Sequence, residues 1–174
     1  MYSLNDFREK INDVARPYHW RCDFDGGCFG PLQDRQRTTA AMRTSALPGL
    51  TVNEVAVSYF GMTYKFGGTP TYEPLAAQFI IDSEYEVLSE WKRVLDEVFK
   101  YEEGQGPVWQ APSVYMGTVT LYQLNTERTA VSEYKLGMAY LSAIGAISYG
   151  HETKDTPLIF DATITYSYYV KKTS

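Results

Sequence analysis

The residues able to carry metal or nucleophile chemistry are few in this chain and form no recognised motif. The histidines are His19 and His151, and the cysteines are Cys22 and Cys28, six positions apart. The order His-x-x-Cys-x5-Cys has no spacing typical of zinc ligands, and part of it lies in a predicted strand. A cysteine nucleophile needs a positioned base, and nothing in the sequence suggests one. We therefore predict no metal site, no cofactor site and no catalytic residues, so we expect a protein that is not an enzyme.

The sequence leaves open whether the two cysteines pair with each other. A secreted disulfide-stabilised domain usually carries more than two, which favours reduced thiols. Segment 1–17 lacks the apolar core of a signal peptide. No apolar run approaches the roughly 20 residues that cross a bilayer. We expect a soluble protein, made in a cytoplasm, that does not insert into a membrane.

Four carboxylates near the middle of the chain could be imagined as a general acid and base. They are Asp82, Glu84, Glu86 and Glu90. They fall on the first turns of a predicted helix, opposite its apolar positions, where the helix dipole stabilises negative charge. The sequence therefore predicts a solvated face at these four residues.

The charge distribution argues against stable binding of nucleic acid. The formal net charge is −5, with +1 in residues 1–50, −6 in residues 51–104 and zero in residues 105–174. Phosphate neutralisation needs a basic face, and none is visible. The glycines of segments 26–30 and 104–107 lack the lysine and the spacing of phosphate-binding loops. Trp109 and the tyrosine-rich strands have no basic neighbours and are predicted to lie in a core or an interface.

One segment has the periodicity of a helix. Within residues 83–103, apolar side chains follow Val87 at offsets of 4, 7, 8 and 11 positions. This spacing makes one apolar stripe on a 3.6-residue period. Ser83 with Glu86 has the spacing of a capping box, and Gly104 predicts the end of the helix. The stripe consists of Val87, Trp91, Val94, Leu95 and Val98.

Nearly all the other segments alternate with period two. Strands are predicted over 18–24, 37–47, 75–82, 113–124, 130–141 and 158–170. In 130–141 the alternation places Tyr134, Leu136, Met138 and Tyr140 on one face, and Glu133 and Lys135 on the other. The last strand is unusually long, so we expect it to be shared between two packed sheets or to extend into a neighbouring subunit. Its polar face holds Asp161, Thr163, Thr165 and Ser167.

Residues 51–66 predict a hairpin around a tight Phe60-Gly61 connection. Its apolar side chains share one face, which has no evident place inside a one-domain core. We therefore predict contacts with another subunit for Val55, Val57, Tyr59, Met62, Tyr64 and Phe66.

These elements together predict a mainly β fold. We expect two packed antiparallel sheets forming a β-barrel or sandwich, flanked by one α-helix at about 83–103. Residues 1–174 are predicted to form one domain. Residues 1–16 are expected to form an N-terminal arm or short helix.

The order of the elements resembles the tail tube protein of contractile-tailed bacteriophages. The matching features run nearly from end to end. They are Ala15-Arg16-Pro17 before a strand, a strand ending in Ala46-Leu47-Pro48-Gly49, the hairpin 51–66, the break 67–70, the strand 75–82 leading into the helix with Trp91, and a terminal strand ending in Tyr-Tyr-Val.

This resemblance implies hexameric rings that stack into the inner tube of a contractile phage tail, a conduit for DNA ejection into the host. In such a stack, the apolar face of the hairpin 51–66 would make contacts between subunits or between stacked rings. The implied partners are further copies of the chain, the sheath, and baseplate and terminator proteins at the tube ends. Double-stranded DNA would pass without sticking. The implied location is the virion tail, assembled in the cytoplasm of the bacterial host. We expect the helix, with its acids outward, to face the sheath.

Two other functions remain open from the sequence. One keeps the fold in a tube or tube-initiator protein of a secretion or contractile injection system. The other is a β-sandwich that binds a small ligand. For a tube, a wall that DNA passes should be polar or acidic. The candidates for that lumen face, or for an outer polar face, are Glu133, Asp161, Thr163 and Thr165.

Overall fold

The computed structural model describes residues 16–30, 32, 35–102, 106–150 and 156–173. The predicted arm at 1–16 therefore lies almost entirely outside the described residues. Within them the helices are a 3-10 helix at Gly27–Phe29, α1 (Arg35–Ala41), α2 (Glu86–Val98) and α3 (Pro112–Tyr115). The strands are β1 (Trp20–Asp25), β2 (Met42–Ser45), β3 (Leu50–Tyr59), β4 (Met62–Tyr72), β5 (Leu75–Ile80), β6 (Phe99–Glu102), β7 (Gly106–Trp109), β8 (Gly117–Leu124), β9 (Ala130–Ile144), β10 (Ile159–Thr165) and β11 (Tyr168–Thr173).

Seven strands form two antiparallel sheets that are joined through the long strand β9. The first sheet has the order β1-β8-β9-β11, and the second has the order β9-β10-β5-β2. The predicted mainly β fold with packed antiparallel sheets is confirmed. The described strands do not close into a barrel, because β1 and β2 stand at the two ends of the strand order.

The strand β9 changes the face it buries at a β-bulge. Thr118 pairs with Gly137 while Gly117 pairs with Ala139, so Met138 is the extra residue, and its φ is +54°. The bulge turns Met138 outward and buries Ala139 instead. The prediction that Leu136 and Met138 share one face is therefore wrong, since simple alternation does not continue through a bulge.

The last predicted strand is interrupted at Tyr166 and Ser167 and becomes β10 and β11. Both run antiparallel to β9, β10 against its second half and β11 against its first. The predicted sharing of this strand between two sheets is thereby confirmed. Ala162, Ile164 and Tyr166 point into the core, on the side opposite the predicted polar face. The interruption reverses the faces beyond Tyr166, so that Tyr168 is exposed.

The helix α2 packs on a core built from both sheets. Trp91 is fully buried and lies 5.3 Å from Phe24 of the first sheet and 4.5 Å from Phe79 of the second, measured between ring centroids. Val87 and Val94 are also buried. The predicted apolar stripe thus contacts the core as the 3.6-residue spacing requires.

The ends of this helix differ from the prediction. The helix covers Glu86–Val98, and Phe99–Glu102 continues as the strand β6. No side chain caps the first turn at its N-cap residue, Tyr85, so the predicted capping box of Ser83 and Glu86 is wrong. Asp82, which lies earlier in the chain, caps the first turn instead. Its Oδ1 accepts a hydrogen bond of 3.1 Å from the N–H of Val87.

The first part of the strand predicted over 37–47 is a helix. Residues Arg35–Ala41 form α1, and only Met42–Ser45 is extended. Contacts distant in sequence account for the difference. Arg37 pairs with the carboxylates of Asp82 and Glu86, which lie before and at the start of α2. Thr38 is buried against Glu90 of α2. The helical form of this segment therefore depends on packing against α2.

The glycine at position 27 is fixed by a close approach of two backbones. Gly27 has a φ of +54°, and a Cβ there would overlap the backbone of Met116 and Gly117. Only glycine accepts both the left-handed conformation and this contact. The 3-10 helix Gly27–Phe29 is thereby held against the start of β8, with Cys28 and Phe29 buried beneath it.

The two cysteines are free, buried thiols. Burial raises the pKa of Cys22, and it raises the pKa of Cys28 to about 11. Because the thiolate is the reactive form, a raised pKa and burial both slow thiol chemistry. No helix among the described residues is long and apolar enough to cross a membrane.

We expect both thiols to resist modification in the folded protein at pH 8. Titration with Ellman's reagent should label essentially no thiol within minutes under native conditions and two thiols per chain in guanidinium chloride. The free-thiol count in denaturant serves as the control for oxidation during purification. Rapid labelling of either cysteine in the native state would contradict the buried positions.

Candidate subunit interface

Strands β3 and β4 form a two-stranded ribbon that extends from the sheets. They pair with each other from Leu50 opposite Tyr72 to Tyr59 opposite Met62, and with no third strand among the described residues. All the residues of β3 are exposed. The predicted hairpin at 51–66 is therefore longer, with its root at Leu50 and Tyr72. A ribbon of this kind is marginally stable by itself and gains stability from a further surface.

The six residues predicted to make intersubunit contacts lie together on one face of the ribbon. Directly opposed pairs share a face in an antiparallel ladder. The pairs are Val55 with Phe66, Val57 with Tyr64, and Tyr59 with Met62. Each side chain is about half exposed, from 47 % for Val57 to 65 % for Tyr59. Within one subunit this apolar face lies open to solvent.

The opposite face of the ribbon is polar and internally paired. Lys65 Nζ lies 2.9 Å from Glu54 Oε2, and the hydroxyls of Ser58 and Thr63 are 3.3 Å apart. Ala56 opposes Lys65 on the same face. The ribbon therefore has one face suited to water and one face suited to burial against another protein surface.

The tip of the ribbon is a two-residue turn made by Phe60 and Gly61. Both residues have positive φ, +48° and +78°, as a type I′ turn requires. Phe60 is 88 % exposed, and its ring meets that of Tyr59 edge-on at 4.5 Å. From the sequence, Phe60 is predicted only as part of the connection. The signal in the sequence is an aromatic residue at a position where asparagine or glycine is favoured.

Aromatic rings attach the root of the ribbon to the sheets. Tyr72 lies 5.8 Å from Tyr166 and 5.6 Å from Tyr169, and Tyr134 lies 6.0 Å from Tyr169. Burial raises the pKa of Tyr166 to about 12. The root of the ribbon is thus held by packing of Tyr72 against Tyr166, which follows β10, and against Tyr169 of β11, while the outer part of the ribbon has no such contact among the described residues.

Three of the four predicted polar wall residues lie on the outer face of the second sheet. Asp161, Thr163 and Thr165 alternate with the buried residues of β10. A row of hydrogen bonds crosses three strands here. Gln78 Nε2 donates to Asp161 Oδ1 at 2.8 Å, and Thr44 Oγ1 donates to Gln78 Oε1 at 3.1 Å. This face is polar and carries little charge.

Glu133 lies elsewhere, on the outer face of the first sheet. It stands opposite Tyr122 of β8 and Lys172 of β11. Arg21 stacks over the Tyr122 ring at 4.6 Å, so acidic and basic groups alternate across this face. The structure therefore does not bring Glu133 together with Asp161, because β9 and the β10–β11 strand carry them into different sheets.

The acidic group near α2 is part of an ion-pair network. The carboxylate oxygens of Asp82, Glu84 and Glu86 lie within 4.8 Å of one another. Arg37 Nη2 is 2.7 Å from Asp82 Oδ2 and Arg37 also pairs with Glu86. Burial alone would raise the pKa of Asp82, but the N–H of Val87 and the Arg37 charge lower it below its ordinary value. Glu84 and Glu86 are solvated as predicted.

Glu90 departs from the predicted solvated face. Its side chain is only 8 % exposed, and Thr38 Oγ1 lies 3.4 Å from its Oε2. The helix α1 covers this position, and α1 lies in a segment that the alternation pattern predicts to be a strand. Trp109, predicted to lie in a core or an interface, is 73 % exposed on β7 and packs on Phe99 at 4.8 Å.

Comparisons with known proteins give a family for the sequence and relatives for the fold. A profile described as "Phage tail tube protein" matches residues 33–172. The structure of an extracellular contractile injection system, the PVC sheath–tube complex in the extended state, contains a chain with the same fold. That chain is 10 % identical with a TM-score of 0.66, and the match covers 100 % of both chains. A chain of the anti-feeding prophage baseplate is 10 % identical with a TM-score of 0.66, covering 94 % of this chain and 98 % of that one. No curated protein matches the sequence.

Proposed function

Because this chain belongs to the phage tail tube protein family, in which it is a structural tube subunit of the virion tail, we propose that six copies close into a ring. Rings then stack into the inner tube of a contractile tail, through which DNA is ejected into the host. The observation that carries the proposal is the ribbon β3–β4, whose apolar face has no partner among the described residues. Such a face is typical of a protein–protein interface, and we assign a second copy of this chain to it.

The ends of the strand order support closure into a ring. The outer edges of β1 and β2 pair with no strand among the described residues. Exposed strand edges invite pairing with another chain, and a closed ring removes them. We propose that edge pairing joins subunits within a ring and that the apolar face of the ribbon joins one ring to the next.

We propose that the outer face of the second sheet lines the lumen. The strands β2 and β5, which lead into and out of the ribbon, belong to this sheet. Its outward-facing residues, the exposed Asp161 and the half-buried Thr163 and Thr165, offer no array of basic groups that would hold DNA phosphates. The outer face with Glu133 also carries Lys135 and Lys172, which suits a moving polyanion less well.

The partners at the outside and the ends of the tube follow from the same role. We propose that the sheath contacts the exposed side of α2, which presents Glu86, Lys92, Arg93 and Asp96. Baseplate and terminator proteins would meet the first and last rings, in the bacterial cytoplasm where tails assemble. The neighbouring structures come from a sheath–tube complex, a sheath and tube terminator, and a baseplate, which supports this set of partners.

Electron microscopy of the purified protein tests the proposal. We expect six-fold rings or hollow tubes above a threshold concentration, and a map in which Asp161 and Thr163 face the lumen. A protein that stays monomeric at all concentrations would contradict the tube role. A lumen lined mainly by lysine and arginine would contradict the DNA conduit.

The injection-system alternative keeps the fold and changes the cargo. It draws support from the PVC and anti-feeding prophage chains, whose likeness at 10 % identity shows the fold alone. Particles isolated from the producing cells separate the two roles. A phage tail tube occurs beneath a DNA-filled head, whereas an injection-system tube occurs in headless particles.

A further inference from the structure

A pocket opens near the root of the ribbon. Its volume is about 470 Å³, within the range of sites that hold small molecules. It lies among the start of β1, the segment after β2, the end of β8 and the start of β9. Ser45 Oγ is buried here with no hydrogen-bond partner among the described residues. The apolar walls of this root pocket include Trp20, Leu47, Leu124, Val131 and Tyr134.

The tip of the ribbon carries a residue that its turn does not favour. Type I′ turns prefer asparagine or glycine at the position of Phe60, since a positive φ crowds larger side chains. Phe60 has this φ, and 88 % of its surface is exposed, so its packing within the subunit is confined to the edge of the Tyr59 ring. A residue that the turn disfavours, and that adds little packing within its own subunit, points to a function outside the subunit.

The length of the ribbon matches the size of one subunit. The ten residues of β3 span about 33 Å at a strand's rise per residue. A compact chain of 174 residues has a diameter of about 40 Å. Ser45 and Leu47 of the root pocket directly precede the root at Leu50, so a subunit's own tip points away from its own pocket. If a second copy is displaced by one subunit diameter along the ribbon, its root pocket lies near the tip of the first copy's ribbon.

We propose that the tip of each ribbon, led by Phe60, inserts into the root pocket of the next copy in the stack. This inference rests on the proposed head-to-tail stacking and adds the specific contact that sets its register. The aromatic pair of Tyr59 and Phe60 meets apolar walls, and Ser45 Oγ gains a backbone partner from the turn. The occupant is thus a second copy of this chain.

Disulfide trapping in assembled tubes tests the contact. The double variant Phe60→Cys with Val131→Cys, oxidised by diamide, should give a ladder of covalent multimers on a denaturing gel. Val170→Cys replaces Val131→Cys in the matched control, because Val170 is also a half-exposed strand valine and lies outside the pocket. The Phe60→Cys single variant controls for tip-to-tip pairing. Cys22 and Cys28 are buried and do not compete.

Each outcome of the trapping experiment has one meaning. A ladder specific to Val131→Cys supports the insertion. Tubes without cross-links, or with equal cross-linking at Val170→Cys, overturn it while leaving the tube role intact. A cross-link within one chain from Phe7→Cys to Val131→Cys would assign the pocket to the residues before Arg16 and would also overturn the proposal. Absence of tubes from the unmodified protein would instead contradict the proposed function.

The variant Phe60→Asn separates a turn effect from an interface effect. Asparagine suits the type I′ position, so the melting temperature of the unassembled subunit should stay unchanged or rise. The concentration threshold for tube formation should increase at least tenfold, as judged by sedimentation. An unchanged threshold would show that Phe60 makes no intersubunit contact and would overturn the insertion.

Discussion

Replacement of Val57 by glutamate is expected to leave a folded, soluble subunit that forms no tubes. Val57 stands opposite Tyr64 in the middle of the apolar face of the ribbon and is 47 % exposed within one subunit. Folding therefore tolerates a charge there, whereas burial of an unpaired carboxylate between subunits costs several kcal/mol. A loss of about 3 kcal/mol per contact raises the assembly threshold by roughly two orders of magnitude.

The neighbouring residue supplies a matched control. Ala56 lies on the polar face of the same strand, opposite Lys65. The variant Ala56→Glu adds the same charge one position away and should assemble normally, as seen by electron microscopy and sedimentation. Tubes of normal length from Val57→Glu would refute the interface. Loss of tubes from both variants would show that both faces of the ribbon are buried in the assembly.

Replacement of Trp91 by alanine is expected to destabilise the subunit by about 3–5 kcal/mol, the range for large aromatic residues in cores. Trp91 is fully buried and contacts Phe24, Phe79 and, at 6.5 Å, Phe160, so its loss opens a cavity between the two sheets and α2. Guanidinium denaturation should be measured in the Val57→Glu background, because assembly would otherwise add to the apparent stability.

The variant Trp91→Phe is the control for this measurement. Phenylalanine keeps much of the packing, and the change removes Nε1, which is buried without a hydrogen-bond partner among the described residues. We expect it to cost clearly less than the alanine variant. A negligible effect of Trp91→Ala would place the indole outside the core, in conflict with its burial beneath α2.

Elements governed by local periodicity were predictable from the sequence. The apolar stripe with Trp91 predicts the helix because residues on a 3.6-residue period share one face in a helix and not in a strand. The ribbon follows from alternation on both sides of Phe60-Gly61. Elements governed by distant contacts were not predictable. The segment from Arg37 becomes helical through Asp82, Glu86 and Glu90, and those partners lie 45 to 52 positions away.

The apolar face of the ribbon could be predicted from the sequence. For the polar wall residues, the sequence predicts only which face of its own strand each residue lies on. Period two places Val57 with its five companions on one side without any tertiary information. The same rule cannot assign Asp161 and Glu133 to different sheets, because that depends on where β9 passes from one sheet to the other. The bulge at Met138 leaves no clear mark in the sequence, since methionine is not a residue that favours positive φ.

A tube joined by ribbons that enter pockets has a direction, because every ring offers tips on one side and empty root pockets on the other. The two ends of a finished tube are then chemically unlike. One end displays a crown of exposed aromatic tips around Phe60, and the other displays unfilled cavities lined by Trp20 and Val131. Proteins that begin and finish such a filament cannot be interchangeable. The one that meets the tips must supply a cavity, and the one that meets the cavities must supply a projection of its own.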